Sequence, residues 1–219
     1  TTMTTVTTTA TTTTVAPSGA TGYVGLGGAV GVGAGVQPVL TGAPMQPTPR
    51  GFNCAVCHTH HPTLPLHYGS PAPVYVLAMT LEERPQRVQL NSDQCVLDDQ
   101  HFFVVGNLEL PIKDSHEIFS WDVWVSLSAR NFVRANELWV QTGRESEPPY
   151  FGWLSTVLPG YPDTVNLKTN VHTRQVGQRP FIELEPTDHP LAVEQRAGIT
   201  WARVTEIAQT VLHSNEVPP

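Results

Sequence analysis

The run Cys54-Ala-Val-Cys57-His58-Thr59-His60-His61 puts two thiols and three imidazoles within eight residues. Thiolates and neutral imidazoles are the donors that zinc prefers, and a tetrahedral structural site takes four of them. The two-residue spacing of the Cys-x-x-Cys lets both sulfurs turn toward one ion. Cys95 is the natural third donor, and His61, four residues after Cys57, the best fourth, with His60 and His58 as rivals. The expected cofactor is therefore a structural zinc on Cys54, Cys57, His61 and Cys95. The bland alternative is a set of ordinary thiols. A redox pair normally opens a helix in a βαβ unit, and Pro62 and Pro65 argue against a helix here. A catalytic zinc would keep one position open for water, and neither HExxH nor the deaminase pattern H-x-E…PCxxC is present.

A second constellation is Glu183-Leu-Glu185-Pro-Thr-Asp188-His189-Pro. Alternation along a strand puts Glu183 and Glu185 on one face, and Asp188 and His189 follow at a turn. A carboxylate beside a histidine orients the ring and tunes its proton affinity, as general acid–base catalysis requires. His172 on a neighbouring strand, with Lys168 and Arg179 as anion binders, would complete a small hydrolase-like site on His172, Glu185, Asp188 and His189. The competing reading leaves Glu183 in solvent, makes Asp188 a helix cap and half-buries His172. No Gly-x-Ser-x-Gly, P-loop or dinucleotide fingerprint is present. A third group is aromatic: Trp121, Trp124, Trp139, Trp153, Tyr150, Phe151 and Tyr161. Most belong in a core. On one strand, however, Trp121 and Trp124 face opposite ways, so one of them, with Trp153 and Tyr161, is free to line a pocket or a partner surface.

The elements that must carry these groups read as follows. Thr80 caps a short helical turn that Pro85 stops, and Arg87 to Leu90 is extended. Val96-Leu97 and His101 to Leu110 form a hairpin about Asp98-Asp99-Gln100. Phe119, Trp121, Val123 and Val125 alternate along a strand from Phe119 to Leu127. Ser128 then caps a helix with Phe132, Ala135, Leu138 and Trp139 at helical spacing, ended by Gly143. Tyr150 to Leu158, Val165 to Thr173 and Phe181 to Leu184 are further strands. His189 to Arg196 is helical up to Gly198, and Thr200 caps a last helix with Val204, Ile207, Ala208 and Val211 at core spacing. Strands with helices between and after them predict an α+β domain, mainly antiparallel, with two or three helices and an N-terminal Cys-x-x-Cys knuckle-like segment.

The 219 residues divide by charge. No Asp, Glu, Lys or Arg precedes Arg50. Residues 1–50, Thr-rich and then Gly/Ala/Val/Pro-rich, read as a low-complexity, disordered leader, since such a composition buries too little surface to offset ordering entropy. Residues 51–215 read as one domain, long enough to bury roughly 70% of its unfolded surface. The formal net charge is −7; an acidic surface repels phosphates, so broad nucleic-acid binding is disfavoured. Tyr23 to Leu40 is uncharged but carries six Gly, a Gln and a Pro, a poor membrane span, so no membrane association is expected. Three Cys do not close a disulfide framework, which favours a reducing, cytoplasmic compartment, and no signal peptide is visible. A binding or structural role with a protein partner is the leading functional expectation.

From Phe52 onward, over about three quarters of the chain, the sequence resembles the bacterial domain of unknown function 2199 family. The resemblance rests on long phrases: SDQCVLD followed by HFFVVGNLELP, then FSWDVWVSLS, PPYFGWLS, YPDTVNLKTNVH and RPFIELEPTDHPLAVEQ. It implies a soluble bacterial cytosolic domain with an N-terminal Cys-x-x-Cys and brings no established activity. Two departures stand out. Relatives often carry Cys-Gly where this chain has Cys57-His58, and many carry Arg-Gly-Cys where it has Val105-Gly106-Asn107. A cysteine ligand at position 107 is therefore unavailable.

Overall fold

The computed structural model describes residues 50–213. The low-complexity leader, including Tyr23 to Leu40, lies outside the described residues. In chain order the elements are β1 (Phe52–Asn53), β2 (His60–His61), β3 (His67–Gly69), α1 (Val74–Leu77), α2 (Arg84–Arg87), β4 (Val88–Leu90), β5 (Gln94–Leu97), β6 (His101–Pro111), β7 (Ile118–Leu127), α3 (Ala129–Glu137), β8 (Tyr150–Leu154), β9 (Lys168–His172), β10 (Phe181–Leu184), α4 (Pro190–Ala197) and α5 (Trp201–His213). Among the described residues no helix is long and apolar enough to cross a membrane.

The organising unit is the β6–β7 hairpin, paired from Phe102↔Leu127 to Pro111↔Ile118. At its open end Asp98 and Asp99, both left-handed, return β5 onto β6. The far half of β7 pairs with β8, β8 with β9, and β9 with β10. Strand β10 then lies beside β6, so β6-β7-β8-β9-β10 close into a five-stranded barrel, with β3 beside β7 and β5-β4 extending from β6. The α+β class is as expected, but the sheet is barrel-like and mixed rather than simply antiparallel. The reason is parity: five strands in a ring cannot all alternate in direction, and the parallel pair falls at β10–β6. A second parallel pair is β3–β7. Closure also needs Gly106. A Cβ there would overlap the Ile182 side chain and the Pro180 carbonyl.

Alternation sorts the large side chains into two layers. Val104, Leu108 and Leu110 of β6, with Phe119, Trp121, Val123 and Val125 of β7, join the main core with Leu154, Val171, Ile182 and the inward residues of α4 and α5. Phe103, Val105 and Trp124 face the other way, into a second cluster with Ala72, Val76, Cys95 and Leu97. Trp121 and Trp124 thus lie on opposite faces, and both are buried. Full burial of each such side chain contributes about 1.5–3 kcal/mol.

Local chemistry sets the helix ends. Ser128 Oγ accepts from Asn131 N at 3.2 Å and starts α3. Thr200 Oγ1 accepts from Arg203 N at 3.2 Å and starts α5. Thr80 and Glu83 form a capping box. Pro85 does not stop a helix; it sits in the first turn of α2, where its missing N–H is not needed. The strands around Leu158 and Val165 are shorter than expected. After Leu154 the Thr156 hydroxyl accepts from Trp124 N at 2.8 Å in place of a backbone partner, and Asn166 adopts a left-handed conformation before β9 begins. Arg144, buried, clamps the β9–β10 connection: it donates to the carbonyls of Arg174 (2.7 Å), Gln175 (3.2 Å) and Gln178 (2.8 Å), and to that of Trp139 (2.8 Å).

Candidate metal centre

The segment ahead of the barrel is a miniature hairpin. Phe52 pairs with His61 and Asn53 with His60. Cys54 N donates to the Thr59 carbonyl at 2.9 Å and His58 N to the Cys54 carbonyl at 3.1 Å, and the reversal is completed by His58 at φ 56°. A tight turn of this kind brings the two cysteines to one side. Val56 N donates to Cys54 Sγ, 3.4 Å away, and so fixes the sulfur's direction. Phe52 stacks on His61 at 4.8 Å between centroids, the ring planes nearly parallel, and so fixes the imidazole.

Helix α5 supplies the rest. Arg50 lies over the Trp201 ring at 4.0 Å, at the start of the helix. At its end, His213 Nε2 comes within 3.2 Å of Cys54 Sγ. Cys57 Sγ is 3.4 Å from His61 Nε2. The donor atoms of Cys54, Cys57, His61 and His213 all lie within 4.8 Å of one another. Tetrahedral zinc, with Zn–S near 2.3 Å and Zn–N near 2.0 Å, spaces its ligand atoms about 3.3–3.8 Å apart, so the set fits such an ion with small adjustments. Hydrogen bonds from Thr59, at 2.9 Å, and from His61 lower the Cys57 thiol to about 6. At neutral pH it is then a thiolate, the form that ligates metal.

Three of the four donors expected from sequence come together here: Cys54, Cys57 and His61. The expectation for Cys95 is corrected. On β5, alternation turns Cys95 and Leu97 into the second cluster, on the far side of the sheet from the core that holds Cys54. Burial pushes the Cys95 thiol up to about 11, and it acts as a small apolar group. Among the rivals, His60 is bound to Asn53 Oδ1 at 2.9 Å and His58 is exposed on the turn. The fourth donor, His213, ends the last helix, where a histidine reads as a dipole-compensating residue. No spacing motif links it to the knuckle.

The four candidate catalytic residues engage separate partners. His172 Nε2 bonds Glu183 at 2.8 Å, whereas Glu185 faces Lys168 at 3.8 Å, at the other end of β9. His189, not Asp188, caps α4, its Nδ1 accepting from Leu191 N at 3.2 Å, and Asp188 is exposed. A polar network not anticipated from sequence surrounds Asp122. It accepts from Asn107 Nδ2 at 2.6 Å and from His67 Nε2 at 3.0 Å and pairs with Arg179, which also reaches Asp93 at 3.1 Å. Asn107 is therefore engaged away from the knuckle. Ser92, ahead of the Arg179 guanidinium, holds the Asp93 carboxyl below its ordinary value.

No curated protein and no solved structure matches the chain. The bacterial family described as "Uncharacterized protein conserved in bacteria (DUF2199)" matches residues 53–199, a stretch that contains Cys54, Cys57 and His61 and stops short of α5. Covering about two thirds of the sequence, from the knuckle to the end of α4, that match shows that the chain belongs to the domain of unknown function 2199 family.

Proposed function

We propose that this protein is a zinc-stabilised binding domain rather than an enzyme. The observation that supports it is the donor set itself: two sulfurs and two imidazole nitrogens within 4.8 Å, drawn from the hairpin that precedes the barrel and from the helix that follows it. Four protein donors fill a tetrahedron, whereas a catalytic zinc keeps one position for water or substrate. The ion's work is then to fasten both ends of the domain to one point. The scatter of His172, Glu185, Asp188 and His189 among separate partners favours the same reading.

Elemental analysis of purified protein tests it, coupled to thermal melting with and without chelator. One zinc per chain is expected, lost in His213→Ala. Each kcal/mol moves the midpoint of a domain this size by about 2–4 °C, and a structural ion is worth several, so chelation lowers the midpoint by roughly 10 °C. Protein without metal, or metal retained in both His213→Ala and Cys54→Ser, overturns the reading.

A further inference from the structure

Strand register aligns Cys95, Phe103, Ser126 and Trp153 in a row across β5, β6, β7 and β8. Directly opposed residues share a face, here the face away from the main core. Ser126 is the small member between two aromatic neighbours, so the row has a notch at its centre. Tyr75 of α1 stands beside Phe103, ring centroids 5.9 Å apart, and its hydroxyl donates to Asn166 Oδ1 at 3.3 Å. Gln100, from the β5–β6 turn, closes the rim. The result is a cleft of about 570 Å3, within the range of small-molecule sites.

Its chemistry is specific in what it leaves free. Tyr75 and Trp153 are 41% and 40% exposed, unusual for large rings beside a core. The strong cation at the rim, Arg87, is held bidentately by Asp98 at 2.7 Å through both nitrogens, so its charge is already compensated and an anion gains little there. The other polar groups of the lining are the His101 ring, the amide of Gln100, the amide nitrogen of Asn166 and the Ser126 hydroxyl, which leans toward the Trp153 carbonyl at 3.5 Å. Aromatic walls stack a flat ring, and side-chain amides present a donor and an acceptor together.

We propose that this cleft binds a small, neutral, planar nitrogen heterocycle with hydrogen-bonding groups on its edge, the chemistry of a nucleobase or nucleoside. The ring lies over the Ser126 notch between Trp153 and Tyr75, above the buried Phe103, with the Gln100 and Asn166 amides at its edge. This deepens the binding reading above, and the metal content of every sample separates failure of one from failure of the other.

The test is a titration of the full chain with adenosine, uridine and adenosine monophosphate, followed by the Trp153 indole N–H resonance, which Trp153→Phe assigns. A saturable shift with at least one nucleoside is expected, at least tenfold weaker for the monophosphate. Ser126→Phe fills the notch and abolishes the shift with melting midpoint and metal content unchanged. Should that variant misfold, Trp153→Ala, at an exposed ring, weakens binding at least fivefold as read by calorimetry. No saturable shift with either nucleoside, binding that survives the variants, or a monophosphate that binds as tightly as adenosine overturns the proposal.

Discussion

Cys54 Sγ and His213 Nε2 lie 3.2 Å apart although 159 positions separate them in the chain. One residue belongs to the turn ahead of the barrel and the other ends the final helix. A contact of that span is costly in chain entropy; it is supported by the main core, which holds Phe52 and Cys54 together with Val204, Ile207 and Ala208 of α5, and by Arg50 on Trp201. The contact therefore distinguishes two ligand sets that differ by a single residue. His213→Ala is expected to lower zinc affinity at least tenfold, whereas Cys95→Ser leaves metal content at the wild-type level. Zinc titration against a competing chelator measures both.

Cys95→Ser still has an effect, on stability. The side chain is fully buried among Phe103, Trp124 and Val76, and a hydroxyl placed there without a partner costs about 1–3 kcal/mol. Urea denaturation detects the loss. Alkylation of the native wild-type protein should leave Cys95 unmodified until the domain unfolds, as mass spectrometry of labelled peptides will show.

Gly106→Ala is expected to destabilise by about 2–4 kcal/mol, because the added methyl collides with Ile182 and with the Pro180 carbonyl where β10 meets β6. Ile182→Val, which removes part of the obstruction, recovers some of the loss in the double variant. Chemical denaturation of the four proteins of that cycle provides the check.

Arg144→Lys should cost about 3 kcal/mol. A single ammonium cannot meet the four carbonyls that the guanidinium satisfies, and buried acceptors left unpaired carry the penalty. Hydrogen exchange should rise selectively at the 174–178 connection.

Acid should weaken the domain in a defined window. Asp93 is held below its ordinary value by Ser92 and Arg179. The unfolded chain, with Asp near about 3.9, therefore takes up protons at a pH where the folded form has not. The contribution is fully present above about pH 4 and is lost as pH falls through the lower folded value. Glu83, Asp98 and Glu147 shift in the same direction and add to the same acid-side loss, so comparison of wild type with Asp93→Asn isolates the share of Asp93. Melting curves of wild type and Asp93→Asn between pH 2.5 and 6 should converge at the acid end.

Where one local rule decides the outcome, the sequence was legible. Period-2 alternation placed Phe119, Trp121, Val123 and Val125 on one face. Ser128 and Thr200 announced their helices, and the eight-residue knuckle supplied three of four donors. What escaped depends on closure. That β10 returns beside β6 follows from a ring of five strands, which no local pattern reveals, and the same long-range geometry delivers His213 to Cys54. Cys95 matches the knuckle cysteines in type alone; alternation along β5 commits it to the opposite face. Nothing local marks the Asp122 network, because each member is an ordinary surface residue type until separate elements bring them together.

The closeness of residues 54 and 213 has a topological corollary. Residue 54 meets residue 213 at one corner while Arg50 lies back at the start of α5, so a linker from 213 to 50 would run the length of that helix, about 20 Å, and the cyclised order could be reopened at a reversal such as Asp114-Ser115. In that permutant the knuckle and the last helix become neighbours along the backbone, and the donor set is transformed from a long-range assembly into a local motif.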